Sequence, residues 1–168
     1  MKFPDNFPKE LYIYLDNMDH VDIKTIDGGN TSLREFISRM LSYHPWWITI
    51  LYRLRKILVT LFGLVDHEKQ NISPIAPENV SFTPGELASV FIVRKTKEDN
   101  YWVVETPEDK HLKAYLGMVL QNLGKSRTRF HVFTSVKYLH WSGPVYFNII
   151  RPFHHLVVWQ MMKAGVER

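Results

Sequence analysis

After residue 87 the hydrophobic period of the chain changes to two. Segments 88–97, 101–106, 111–121 and 127–141 alternate apolar and polar side chains, and polar turn clusters at 97–100, 107–110 and 122–125 separate them. Connections this short join antiparallel neighbours, because a parallel crossover needs a dozen residues or more. Ser142-Gly143-Pro144 then opens a helical run to about Ala164, with Gly165 as its stop. A meander followed at once by one long helix leaves few ways to bury apolar surface. The simplest is an antiparallel sheet with one face closed by that helix. Pro152 lies within the helix and frees the carbonyl of Asn148, so a kink is predicted there.

The first half supplies smaller elements. Residues 21–26 read as a strand that ends in the turn Asp27-Gly28-Gly29. Ser32 and Glu35 have capping-box spacing and start a helix whose apolar face is Leu33, Phe36, Ile37, Met40 and Leu41. A second helix is predicted from Pro45, with Trp47, Ile50, Leu51, Leu54, Ile57, Leu58 and Leu61 as its stripe and Gly63 as its stop. Residues 11–15 fit a short strand or a helical turn. Residues 1–10, with Pro4 and Pro8, read as a loose surface segment. Residues 65–87 read as a long connection with one short strand at 80–82. At 168 residues the chain is one domain's worth, so residues 1–168 are taken as a single α+β domain.

Several kinds of chemistry are excluded outright. The chain has no cysteine, which removes disulfides, thiol catalysis and cysteine-ligated metals. There is no G-x-G-x-x-G, no P-loop and no G-x-S-x-G. Eight histidines invite a metal reading, but none form an H-E-x-x-H or a helical i, i+4 pair, so no metal and no cofactor is expected. The N-terminus lacks the apolar run of a signal peptide. Residues 45–64 are apolar enough to suggest a membrane span, but Arg53, Arg55 and Lys56 sit near the middle. No transmembrane segment and a cytoplasmic location are therefore expected.

Charge is unevenly spread. Residues 1–109 hold 12 Lys/Arg against 16 Asp/Glu, while residues 110–168 hold 9 Lys/Arg against Glu167 alone. The basic residues are not interleaved with aromatics as in single-strand binders, and no nucleic-acid motif appears, so no nucleic-acid partner is expected.

Three local runs carry a family resemblance. Asp109-Lys110-His111-Leu112 resembles the Asp-x-His-Leu start of a strand in a bacterial domain-of-unknown-function family, number 2867. Arg151-Pro152-Phe153-His154-His155-Leu156-Val157-Val158 resembles its Pro-Phe-His-x-Leu-Ile/Val helix signature. Gly143 and Tyr146 stand where the family's last strand turns into its last helix. Asp109, His111, Pro152 and Phe153 are the motif residues. The order of elements is similar to the helix-grip, or START-like, arrangement, a curved antiparallel sheet wrapped around a long C-terminal helix with a cavity between them. That arrangement usually has six strands, whereas the sequence shows four clear ones. The resemblance also implies that the first strand pairs with the last. Asp16, Asp19, Asp22 and Asp27 would then lie beside Arg129 and Lys137, absorbing much of the charge asymmetry within one sheet. Lys113, Lys125 and Arg127 would be left over.

The candidate site follows from this frame. Phe130, Val132, Thr134, Val136 and Tyr138 share the strand face expected to bury, and Thr134 and Tyr138 place hydroxyls in an apolar wall. Trp102 and Met118 belong to the same lining. His154 is a polar group on the apolar stripe of the last helix, and Arg151 stands beside the predicted kink. Each of these could bind a ligand or serve the core. His111 could act as a base oriented by Asp109, or simply anchor the start of its strand. The leading expectation is a protein that binds a small apolar or amphipathic ligand near Trp102, Met118, Thr134, Tyr138, Arg151 and His154, with no catalytic residue assigned. The alternatives are a cyclase- or dehydratase-type enzyme using His154 and Tyr138 in the same cavity, and an anion-binding interaction module.

Overall fold

A computed structural model describes residues 4, 7–49, 74–107 and 111–167. The architecture is the helix-grip one. Six antiparallel strands form a single curved sheet in the order β1-β6-β5-β4-β3-β2, and one long helix lies across it. The strands are β1 (His20–Gly28), β2 (Leu87–Ala88), β3 (Phe91–Lys97), β4 (Tyr101–Glu105), β5 (Leu112–Gly124) and β6 (Arg127–Tyr138). The helices are α1 (Leu33–Ser42) and α2 (Ser142–Val166).

Local chemistry sets most of the boundaries. Ser32 and Glu35 form both halves of the capping box at the start of α1, whose residues Leu33, Phe36, Ile37, Met40 and Leu41 are buried as their spacing requires. The β5–β6 hairpin turns through Lys125 and Ser126, both at positive φ (52° and 57°), which is the twist a tight hairpin needs. Asp99, at φ 52°, sits between β3 and β4.

The structure revises several sequence expectations. Segment 88–97 is two strands, because Ser89 at φ 58° reverses the chain between β2 and β3. Counting that pair and β1, the sheet has six strands rather than four clear ones. Residues 80–82 form no strand; a 3-10 turn, Pro77–Asn79, precedes them. β6 ends at Tyr138 instead of running to 141, and β5 continues to Gly124. Residues 11–15 belong to a 3-10 helix, Lys9–Tyr14, and its C-cap. The predicted second helix begins with a helical turn at 46–49, and the rest of it lies outside the described residues. Among those residues no helix is long and apolar enough to cross a membrane.

The sheet is buried on both faces. The inner face meets α1 and α2 in a core that includes Phe36, Trp102, Met118, Phe130, Val132 and Met162. The outer face is covered by the N-terminal segment, which the sequence reads as a loose surface stretch. Phe7, Leu11 and Leu15 pack there on Tyr101, Val103, Val119 and Phe133, so the chain is fitted to the sheet from Phe7 onward. Gly117 permits this layer. A Cβ at that position would lie 2.0 Å from the Phe133 ring, which crosses its bare Cα.

The pairing of β1 with β6 joins the two ends of the charge asymmetry. Arg129 donates two hydrogen bonds to Asp27, and Lys137 lies 3.4 Å from Asp19. Lys113 pairs with Glu105 at 3.2 Å and is not left over. Asp22 departs from the expectation. It stands opposite Thr134 on the inner face and is bonded to Lys24 and His155 rather than to an outer-face cation.

Candidate ligand cavity and the adjoining polar seam

Alternation along β5 and β6 sends Leu112, Ala114, Thr134 and Val136 to the inner face, opposite the middle of α2. There the helix presents His154, Val157, Val158 and Met161, which follow one another at spacings of three, one and three. The two surfaces do not close on one another. They leave a cavity of about 280 Å³, walled further by Phe91, by Met40 and Leu41 of α1, and by Tyr43, His44 and Ile48 beyond it. The walls are mostly apolar. Thr134 of β6 and His154 of α2 bring polar side chains to the lining from opposite sides.

His154 Nε2 is buried and has no hydrogen-bond partner among the described residues. Burial, and then the positive charge available at His155, pushes its pKa down to about 4, so the ring is neutral at pH 7. A neutral imidazole carries one donor and one acceptor nitrogen. One of the two, Nε2, has no partner among the described residues, on a side chain that lines the cavity.

Beside the cavity, β1 turns a polar stripe inward. His20, Asp22 and Lys24 stand opposite Val136, Thr134 and Val132 of β6, beneath α2. Lys24 Nζ donates to Asp22 Oδ2 at 2.5 Å, and His155 Nδ1 lies 3.1 Å from both groups. Burial raises the Asp22 pKa, but Lys24 and His155 outweigh it and hold the carboxyl below its ordinary value. The His20 ring leans on Phe147 with centroids 4.8 Å apart, and its Nε2 is a second buried nitrogen without a partner among the described residues. Burial, followed by the charges of His155 and Arg151, lowers its pKa. No group of three or more metal-ligating side chains occurs among the described residues.

Of the residues singled out in the sequence, Thr134 and His154 meet at this cavity. Trp102 and Met118 do not reach it. Both are fully buried in the solid part of the core, and the Trp102 indole N–H donates to Ser81 O at 2.9 Å. Tyr138 lies past the end of the cavity, packed on Gly143 and on Phe147. The Phe147 ring lies near both Tyr138 (6.0 Å between centroids) and His154 (6.5 Å). Arg151 is exposed on α2, close enough to act electrostatically on His20 and Tyr138.

The sequence matches the family described as protein of unknown function (DUF2867) over residues 14–161. This chain belongs to DUF2867. Among curated proteins, no sequence matches it. Solved structures similar in chain path include a START superfamily protein from Mycobacterium smegmatis, with 14% identity, 88% of this chain and 97% of the other covered, and a TM-score of 0.44. A hypothetical protein from Helicobacter pylori has 9% identity, with 99% and 98% covered and a TM-score of 0.46. Norcoclaurine synthase from Thalictrum flavum, in complex with dopamine and hydroxybenzaldehyde, has 15% identity, with 90% and 88% covered and a TM-score of 0.42. At such distances an activity does not transfer between proteins.

Of the DUF2867 motif residues, His111 ties the fold together in the described part of the chain. His111 Nδ1 lies 2.6 Å from Ser142 Oγ, which also lies 2.9 Å from His140 Nδ1. The His111 carbonyl accepts the N–H of Leu139, and a Cβ on Gly143 would come within 2.6 Å of the same oxygen. Thus the start of β5 is clasped to the first turn of α2, and Gly143 lets the backbones approach. Asp109 lies outside the described residues. Pro152 and Phe153 are exposed on the outer side of α2, Phe153 at 40%.

The sequence reading missed His20, Asp22, Lys24 and His155 as a group. The alternation of apolar Val21 and Ile23 with polar Asp22 and Lys24 does not say which set the helix covers. Val21 and Ile23 pack under the N-terminal segment, and the polar set faces the helix. The available signal was the adjacent pair His154-His155 on a mostly apolar helix, which requires polar company on whatever strand it covers.

Proposed function

We propose that this protein binds a small apolar or amphipathic molecule in the cavity between the sheet and α2, with Thr134 and His154 as polar anchors. The observation that carries this reading is the buried Nε2 of His154, without a partner among the described residues, on the wall of a mostly apolar space of about 280 Å³. An unpaired buried polar atom costs about 1–3 kcal/mol, which a ligand donor or acceptor would recover. The volume is near the lower end of small-molecule sites, roughly 300–1,000 Å³, and exceeds the roughly 150 Å³ that accommodates benzene. A ligand of one or two rings, or a short aliphatic chain with one polar group, fits that range.

The test is native mass spectrometry of the purified protein together with thermal shift against a panel of apolar and amphipathic compounds. A bound small molecule, or a ligand-dependent rise in Tm that His154→Phe removes by filling the space, is the expected result. Absence of both a co-purified molecule and any shift across the panel would count against the cavity as a ligand site.

A further inference from the structure

The polar seam beside the cavity carries more cationic than anionic groups among the described residues. We infer that the cavity's ligand carries an anionic head, in the simplest case a carboxylate, seated between β1 and α2 against His20 and His154. This rests on the cavity being a ligand site and adds the chemical class of what enters it.

Three observations converge. First, His20 Nε2 and His154 Nε2 are both buried and unpartnered among the described residues, and both rings contact Phe147. A carboxylate accepts several hydrogen bonds and satisfies two imidazole N–H groups at once. Second, among the described residues the groups that act on these two rings are mostly cationic or able to become so. β1 contributes Asp22 and Lys24 beside His20, and α2 contributes Arg151 and His155 beside His154. Asp22 is the one carboxylate of that set and is already held by Lys24 and His155. Among these groups the missing component is negative charge. Third, Asp22 and His20 stand directly opposite Thr134 and Val136, which line the cavity. A head at the seam therefore leaves its apolar tail in the hollow.

The experiment compares matched pairs of probes by isothermal titration and thermal shift: phenylacetate with phenylacetamide and 2-phenylethanol, and octanoate with octanol. The acids are expected to bind about tenfold or more tightly than their neutral partners, the scale of one charge-assisted hydrogen bond. His20→Leu should erase most of that preference while leaving the alcohols unaffected. Arg151→Gln, at an exposed position that should not disturb folding, should reduce the preference more mildly and weaken its salt dependence. Acid binding should take up protons at the imidazoles, so affinity for the acids should rise between pH 8 and pH 6, and affinity for the alcohols should not. Equal or tighter binding of the alcohols and amide would overturn the anionic-head inference and leave the cavity reading standing. Failure of both classes to bind would remove both.

Discussion

The two halves of the sheet's inner face share one period and one covering helix, yet they are packed in different ways. Beneath the C-terminal part of α2, Phe36 stacks on Phe130 with ring centroids 3.9 Å apart and planes 5° from parallel. Trp102, Met118 and Met162 are fully buried there. Gly165 lets the helix rest directly on the Phe36 ring, since a Cβ would lie 2.6 Å from it. Beneath the middle of α2 the strands offer Ala114, Thr134 and Val136, and the helix offers His154 and Val157, with about 280 Å³ left between them. Large aromatic side chains interlock in the first half. Small and β-branched ones fail to meet in the second. Burial of large side chains is worth about 1.5–3 kcal/mol each, so the first half can carry the stability that the second forgoes.

This contrast is most directly broken by exchanging volume between the halves. Phe36→Ala should cost about 3–5 kcal/mol in urea unfolding, because the stacked Phe130 and close-packed helix cannot collapse into the gap. Gly165→Leu should also destabilise, through the contact with Phe36. In the hollow half the sign should reverse. Ala114→Leu adds volume where space exists and should be neutral or stabilising by up to about 2 kcal/mol, while blocking ligand. Equal losses for Ala114→Leu and Gly165→Leu would mean that the middle of α2 closes onto the sheet in solution.

Acid should separate the halves next. His154 has a folded pKa of about 4 against an ordinary value near 6.5, so the unfolded chain binds a proton that the folded chain refuses between those values. Its contribution to stability is fully present above about pH 6.5 and is lost progressively toward pH 4, by at most about 3 kcal/mol. His20 is shifted the same way beside it, and so is His131 on the outer face, where burial is again the main cause. Urea unfolding at several values from pH 7.5 to pH 4.5 should show stability falling with acid. His154→Leu should flatten that slope, while His131→Gln should leave most of it. The surface carboxylates Asp19 and Asp27, held low chiefly by hydrogen bonds from the Tyr138 backbone and from Arg129, add their own losses only at lower pH. An unchanged slope in His154→Leu would show that the ring is not held neutral by its surroundings.

The difference between the halves also explains what the sequence disclosed. Period two on β5 and β6 assigned each residue to a face correctly, so Thr134 and Met118 were both read as inward. Face is a property of alternation, but distance along the strand from the helix is not. Met118 therefore fell in the solid half and Thr134 on the hollow. Trp102 was lost for the same reason. The capping box of α1 was legible because its two partners are three residues apart, whereas Gly143 was placed only by the family resemblance, and its close approach to the His111 carbonyl appears in the structure alone. β1 misled because alternation gives two faces without saying which is covered by a helix and which by the N-terminal segment. The break at Ser89 was invisible because a serine at positive φ has no compositional mark.

The finest separation uses a substitution that removes a hydroxyl and keeps the side-chain shape. In the packed part, Thr96 donates to the Phe82 carbonyl at 2.7 Å and ties the loop before β2 to β3. Thr96→Val would leave that partly buried carbonyl without its donor and should cost about 1 kcal/mol, with no effect on ligand. Thr134 borders empty space instead, so Thr134→Val should change stability by a few tenths of a kcal/mol at most, because an apolar methyl suits an apolar wall as well as a hydroxyl does. Its effect should appear only when ligand is present. The ligand-induced rise in Tm should shrink while the unliganded Tm stays put. The opposite pattern, a loss of stability without ligand and an unchanged shift with it, would mean that Thr134 serves the fold and that His154 is the cavity's only polar anchor.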